Sequence, residues 1–476
     1  MEKEEIKGRL EKIVGPRNVS DSEVVRESYK YMPFSGITWR IAHDFIVLPE
    51  TAEQVSEIVK IANECNLAVA PRGGLGWGGF KGGILLDLTL MNKILKIDME
   101  KSKAITEGGC SLFKLAYELF KKGLIIPATE YGPAPTVAAS VQNPLVAFGK
   151  TRYGLNSELL EGLEVVLPTG EIVRIGSLAY EHTEFGSYTK HITGPDLTGL
   201  FIRHGGALGI ITKVAYRCLR RPEKWAFHSY SWSRNTAAEL TKAAKELTLR
   251  EVFDIHICDR RKTIAIEEAG LIPKLPEDCW FTLYIIVTAE NDEELRGKEK
   301  WIDEVCKSFG GKYMEYNITK FHWEWPTFFH PVAHPIMKEM HRRSEYGFLY
   351  VPESIYYPLA KFPEVYDQME EIGRGCGFTE DKWQFAQDGF VMNDLTMCSQ
   401  WWIWGHPYNK EERRRMAKVH HESGALFGAK GGTWQNSFPP FVSDWAWKNQ
   451  PDAHELIKRI KVLLDPNNIL MPGNIF

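Results

Sequence analysis

No stretch of this 476-residue sequence is apolar for long enough to cross a bilayer. A crossing takes about 20 consecutive residues, so no membrane span is expected. A surplus of one charge is missing too. Lys and Arg total 58 against 62 Asp and Glu, a formal −4, which offers no basic footprint for a nucleic acid. The opening Met1-Glu2-Lys3-Glu4-Glu5 lacks the apolar core of a secretory signal. Cysteines number only eight, and no two stand as C-x-x-C. That removes the usual spacing of iron–sulfur and zinc-ribbon ligands and points to a reduced, cytoplasmic setting. What remains is an ordinary globular composition, 44% hydrophobic and 25% charged, in a chain long enough for two or more domains. The 15 tryptophans stand out, because large aromatics fill cores and also line pockets for flat apolar ligands.

Glycine is concentrated in one run, Pro71-Arg72-Gly73-Gly74-Leu75-Gly76-Trp77-Gly78-Gly79-Phe80. It follows a short apolar strand over 67–70. Glycine lets a backbone approach a ligand closely, and successive N–H groups in such a loop can enclose an anion. Gly74, Gly76 and Gly79 spell G-x-G-x-x-G, but that dinucleotide motif needs a helix directly after it. Here Lys81-Gly82-Gly83 leads into an apolar run over 84–88, another strand. The loop reads either as the phosphate cradle of a different fold or as a glycine-rich hairpin without a ligand.

Around it, Thr51-Ala52-Glu53-Gln54 caps a helix with Val55, Ile58, Val59 and Ala62 on one face. Ser111 caps a second helix that stops at Gly123. Pro168-Thr169-Gly170 turns a hairpin between 163–167 and 171–175. Residues 205–212 form a second glycine-flanked apolar segment. Residues 1–222 thus read as a strand-rich α+β unit. Residues 223–430 mix helices (236–248, 410–424) with strands such as 279–287, and 431–476 form a tail with a helix over 453–464.

Several of these segments, in order, resemble the flavoenzymes of the vanillyl-alcohol oxidase and p-cresol methylhydroxylase type. Arg72 to Gly79 is similar to that family's pyrophosphate loop. Asn143-Pro144 through Gly149-Lys150-Thr151-Arg152-Tyr153-Gly154 resembles the branch that oxidises 4-substituted phenols, and Gly162 to Glu171 continues the match. Gly194-Pro195-Asp196-Leu197 through Gly209-Ile210-Ile211-Thr212 looks like the close of the flavin domain, and Asp465-Pro466 to Pro472-Gly473 like the family's ending. The resemblance implies an α+β fold: a two-subdomain, PCMH-type FAD-binding domain (1–222, core about 40–222), a central α/β cap (223–430), and a tail (431–476) returning to the FAD domain. It implies FAD along Pro71 to Gly79, Pro135, Thr136, Ala139, Asn143, Gly149, Tyr153, Gly209, Ile210 and Ile211.

The chain also departs from that pattern. Tyr153-Gly154 is followed by Leu155-Asn156 where the phenol-oxidising branch carries a carboxylate. Gly431-Gly432-Thr433-Trp434-Gln435-Asn436 lacks that branch's Tyr-Arg pair, and Gln435 offers neither charge nor fork to an oxyanion. Lys430 is the cation nearby. The pyrophosphate loop has none of the His, Cys or Tyr that tether FAD in relatives, so a dissociable FAD is expected. Related 2-hydroxy-acid dehydrogenases carry metal ligands in an H-x-G-D-G-N-x-H stretch. Only the fragments Asp388-Gly389 and His256 are present here, so no metal is expected. The superfamily's ether-lipid synthase uses a histidine run, against which His420-His421 is only a pair.

Oxidising a C–H bond at a flavin needs a group to take the substrate's proton and another to hold its charge. Arg152 and Tyr153 are candidates, with Gln435, His406 and His256. Trp402, Trp404, Trp434 and Lys430 are expected to wall the substrate pocket. The function implied is an FAD-dependent oxidoreductase that removes a hydride from an alcohol or benzylic carbon of an aromatic or apolar small molecule. Electrons pass to a separate acceptor (oxygen, a quinone or an electron-transfer protein), and relatives suggest a homodimer. The alternatives are a D-lactate- or glycolate-type 2-hydroxy-acid dehydrogenase, and a flavin-binding subunit or partner without its own turnover.

Overall fold

The computed structural model describes residues 2–29, 42–74, 82–126, 135–142, 144, 149–191, 193–250, 252–268, 273–315, 349–378, 385–405, 409–434 and 443–473. The first sheet holds β1 (Val19–Ser20), β2 (Phe45–Val47), β3 (Val69–Arg72) and β4 (Ile84–Asp87) in the order β1-β2-β4-β3. β3 and β2 both pair with β4 in parallel. Parallel strands cannot be joined by a tight turn, so the hairpin alternative for the glycine run falls. The crossover from β2 to β3 is the helix Ala52–Glu64. Thr51 Oγ1 accepts the Gln54 N–H at 3.2 Å, and Val55, Ile58, Val59 and Ala62 are fully buried beneath it.

A second sheet is antiparallel, with β5 (Ile94–Asp98), β6 (Lys103–Glu107), β8 (Leu160–Val166), β9 (Ile172–Gly176) and β10 (Ile210–Arg217) in the order β5-β6-β10-β8-β9. The Pro168-Thr169-Gly170 turn joins β8 to β9 as expected. β7 (Leu124–Ile125) pairs with β11 (Leu219–Arg220) beside it.

From residue 224 onward the chain builds a third, eight-stranded sheet. Its strands are β12 (Lys224–Trp232), β13 (Asp254–Asp259), β14 (Phe281–Ala289), β15 (Lys312–Met314), β16 (Leu349–Pro358), β17 (Phe385–Val391), β18 (Thr396–Gly405) and β19 (Thr433–Trp434). They lie in the order β15-β12-β14-β13-β17-β18-β16-β19, and every pairing is antiparallel. Helices Ala237–Leu249, Asp292–Ser308, Phe362–Gly375 and Lys410–Ala429 pack on one face over Ile255, Ile257, Leu283, Ile285, Met397, Trp401 and Ile403. Strand side chains alternate with a period of two. The opposite face therefore carries Asp254, His256 and Cys258 from β13, Thr288 from β14, Asp388 and Phe390 from β17, Gln400 and Trp402 from β18, and Tyr356 from β16. This face meets the N-terminal half.

Two details differ from the sequence expectations. The helix expected over 410–424 runs on to Ala429, because Gly424 does not stop it. It makes room for the Trp445 ring, which a Cβ there would meet at 1.8 Å. Thr433–Trp434 joins the edge of the eight-stranded sheet beside β16. After the helix Pro451–Leu464, Ile469 O accepts the Val69 N–H at 2.7 Å and Met471 N–H donates to Val69 O at 3.1 Å. The chain end thus lies along β3, immediately before the glycine run.

Candidate functional site

The first half of the site is a cradle. β3 carries Pro71 and Arg72 into Gly73 and Gly74, and Leu75, Gly76, Trp77, Gly78 and Gly79 lie outside the described residues. Gly73 is pressed onto the segment opposite: a Cβ there would sit 2.3 Å from Thr136 Oγ1 and 3.1 Å from Ala139 Cβ. Thr136 Oγ1 in turn accepts the Ala139 N–H at 3.3 Å, and Pro135 O accepts the Leu112 N–H at 3.0 Å. The same segment reaches β10 through Gly108, whose Cβ would meet Ile211 O at 2.4 Å and Ala138 Cβ at 3.1 Å. Ile210 and Ile211 are fully buried opposite Val166 and Val165 of β8, and a Cβ on Gly209 would strike Val165 at 2.5 Å. Three sequence segments expected at the cofactor, 71–74, 135–139 and 209–211, are therefore brought together. Asn143 lies outside the described residues.

Close backbone packing at Gly73 leaves no room for a methyl group. Gly73→Ala is expected to push β3 away from Thr136, to cost about 1–3 kcal/mol as overpacking does, and to weaken FAD binding roughly tenfold or more. Flavin fluorescence titration of the variant checks this; an unchanged affinity would separate Gly73 from the cofactor.

Arg72 is already engaged. Its guanidinium donates to Tyr29 O at 2.9 Å and lies over the Tyr29 ring at 5.1 Å, and burial lowers its pKa. Lys103 Nζ, Thr106 Oγ1, Asn156 Nδ2 and His204 Nε2 are buried donors of this half without a hydrogen-bond partner. Of these, His204, 2% exposed, lies in the turn that leads into Gly209 and β10. A close-packed glycine entry and an orphaned buried donor fit a ligand with acceptor oxygens.

The second half is a polar cluster on the face of the eight-stranded sheet opposite the four long helices, with Lys262 supplied by the helix Arg260–Glu268. The His256 Nε2 is hydrogen-bonded to Asp388 Oδ1, and Lys262 Nζ stands 3.4 Å from Asp388 Oδ2. Full burial alone would raise the Asp388 pKa, but His256 and Lys262 together hold the carboxyl below the usual carboxylate range. The His256 ring stacks on Phe390 with centroids 4.5 Å apart, and Lys262 Nζ sits 3.1 Å above the Trp402 ring. His256, Cys258 and Asp388 have ligand atoms within 4.8 Å of one another, the only such group among the described residues. Burial and the neighbouring Asp388 push the Cys258 thiol well up, so its sulfur stays protonated, while Lys262 supplies the cation Asp388 needs.

Two clasps join this face to the N-terminal half. Lys150, 1% exposed, pairs with Asp254 at 2.7 Å and lies 4.3 Å above the Phe390 ring. The Gly149 N–H donates to the same carboxylate at 3.1 Å, and Thr151 Oγ1 donates to Val391 O at 2.7 Å. Gly149, at φ +87°, allows this turn. At the other margin Arg203 holds a left-handed φ of +61°, a conformation non-glycine residues seldom adopt without a constraint. Its guanidinium donates to Trp434 O at 2.6 Å and lies 5.7 Å from the Tyr356 ring.

The remaining sequence candidates are placed as follows. Tyr153 stands edge-on to Phe253 in an apolar cluster with Ile125 and Ile286, and Arg152 reaches Thr288 at 3.5 Å; neither touches the His256–Asp388 pair. His406 and Gln435 lie outside the described residues. Trp404 lies in β18 opposite Tyr350. Trp434 is not on the face with Trp402: it shares the helix side with Ile355 and packs near Trp445. Lys430 is not in the group either. It is half-exposed on the surface, paired with Glu364 at 2.7 Å and Gln368 at 3.0 Å. The residues that assemble here, His256 with Asp388 and Lys262, had one local signal. In Asp254-Ile255-His256-Ile257-Cys258 the polar residues alternate with isoleucine, a strand with chemistry on one face.

Residues 43–176 match the FAD binding domain family. The glycolate oxidase subunit GlcD of Bacillus subtilis is 29% identical over 225 residues, 46% of each chain. The 4-cresol dehydrogenase [hydroxylating] flavoprotein subunit of Pseudomonas putida is 29% identical over 217 residues, 43% of this chain and 41% of the relative. The alignments thus span less than half the length of these curated relatives. The structure of p-cresol methylhydroxylase with substrate bound superposes with a TM-score of 0.83 at 18% identity, covering 99% of this chain and 96% of that one. The chain carries a PCMH-type FAD-binding domain, its fold is that of p-cresol methylhydroxylase, and FAD is its cofactor. Among the described residues no helix is long and apolar enough to cross a membrane.

Proposed function

We propose that this chain is an FAD-linked oxidoreductase that takes a hydride from an alcohol or benzylic carbon of an aromatic substrate and hands the electrons to a separate acceptor. The observation that carries it is the His256–Asp388–Lys262 cluster set between Phe390 and Trp402 on the buried face that meets the FAD domain. Bound FAD supplies the hydride acceptor. Asp388 accepts the Nε2–H of His256, which leaves Nδ1 as the nitrogen able to take the substrate's O–H proton. The Lys262 ammonium adds positive charge where an alkoxide or phenolate develops. Phe390 and Trp402 offer apolar ring faces that exclude water and receive a flat substrate. The Lys150 clasp holds Phe390, and with it the His256 ring, in place.

A 2-hydroxy acid is the second substrate class, favoured by the glycolate oxidase subunit match and by Lys262 as a partner for a carboxylate. Anaerobic addition of 4-hydroxybenzyl alcohol, 4-cresol, D-lactate and glycolate to the purified protein tests both. Bleaching of the flavin's visible absorption by the phenols alone supports the first class, and bleaching by the acids alone replaces it with the second. No bleaching by either set sinks both.

A further inference from the structure

We propose that His204 is a ligand of FAD, its Nε2–H donating a hydrogen bond to a phosphate oxygen in the ADP half of the cofactor. The inference rests on the assignment of an FAD-binding domain and adds to it a residue outside the glycine loop.

The tautomer follows from the structure. The Leu208 N–H donates to His204 Nδ1 at 3.2 Å, so Nδ1 uses its lone pair and, in the neutral ring, the proton is on Nε2. That N–H is buried and has no acceptor. A buried donor is rarely left unpaired, and nothing about packing calls for one here. The ring's neighbour is the edge-on Phe201 at 5.6 Å, against which a leucine would pack as well. Burial, with a smaller contribution from Lys461, pushes the imidazole down to about 3, so it is a neutral donor throughout the physiological range.

The position is what directs this donor to the cofactor. Gly205 and Gly206 follow at φ +56° and +81°, and Gly206 lies so close to Pro71 that a Cβ would meet Pro71 Cγ at 2.8 Å. Ala207 packs with Ala70 and Met471, and the segment runs on into Gly209 and β10. The His204 turn is therefore laid against the end of β3, where the chain enters the glycine run. An anion held by that run is the acceptor with the charge to attract a neutral N–H out of water.

The test is titration of the full-length apo-protein with FAD, as wild type, His204→Leu and His204→Gln, with ADP and riboflavin as competitors. Gln carries an amide N–H near the place of Nε2. Leu is expected to bind FAD roughly 10- to 100-fold more weakly, the loss typical of a hydrogen bond to a charged acceptor, and Gln to stay near wild type. ADP competition should weaken in Leu in parallel, and riboflavin competition should not. In ¹⁵N-histidine-labelled wild type, the Nε2–H resonance of His204 should move on adding FAD. Leu within twofold of wild type, Gln as weak as Leu, ADP competition unchanged, or a resonance that stays put would each overturn the proposal. If Leu does not fold, the resonance alone decides. If wild type takes up no FAD, the domain assignment fails and not the role of His204 within it.

Discussion

His256→Gln is expected to slow reduction of the bound flavin by substrate roughly 100- to 10,000-fold, the range over which a positioned acid–base group acts. Gln keeps a polar group beside Asp388 and preserves much of the volume next to Phe390, so the fold and the FAD stay. It has no basic nitrogen, so the substrate's proton is left without an acceptor. Asp388→Asn tests the other member. With the neutral amide in place, His256 is no longer held by a carboxylate, and flavin reduction should slow because the hydrogen bond that fixes the ring's tautomer and orientation is weakened. Rapid-mixing measurement of flavin reduction across pH checks both variants. A His256→Gln rate within threefold of wild type would remove His256 from the chemistry.

The second large effect is on stability. Lys150→Met removes one partner of an ion pair in which both side chains are all but buried. The Asp254 carboxylate keeps only the Gly149 N–H at 3.1 Å, because the Thr151 hydroxyl gives its one proton to Val391 O. Leaving a buried charge uncompensated in this way costs about 3–5 kcal/mol. Lys150→Met/Asp254→Leu should recover much of that loss, because two apolar side chains in contact bury no charge. Chemical denaturation of the holo-protein, comparing the two variants with wild type, measures both values. A single variant within about 1 kcal/mol of wild type would mean that the clasp contributes little.

The cradle was far more legible in sequence than the cap. Its signals are local: glycine where a backbone must come close, a capped amphipathic helix, a short apolar strand on each side. Gly73, Thr136 and Ile211 needed only an order along the chain that resembles known flavoproteins. The His256–Asp388 pair was not legible in the same way, because its partners are 132 residues apart. They meet through the register of β13 on β17, where His256 lies opposite Phe390 and Cys258 opposite Asp388. Neither strand reveals that register by itself. The tryptophans show the same limit. Trp401 and Trp402 are neighbours in sequence, so in a strand one must enter the helix-side core and the other the opposite face. A run of aromatics cannot all wall one pocket. Lys430 looked like a replacement cation only until its partner, Glu364 at a separation of 66 residues, was in place.

The two clasps also bear on how small molecules get in and out. Asp254 at one margin and Arg203 at the other fasten the eight-stranded sheet over the FAD domain, so swinging it open would uncover a buried carboxylate and break the Arg203 bond to Trp434. Opening the sheet as a lid to admit a small molecule is therefore expected to be costly, since the buried Lys150–Asp254 pair would have to break.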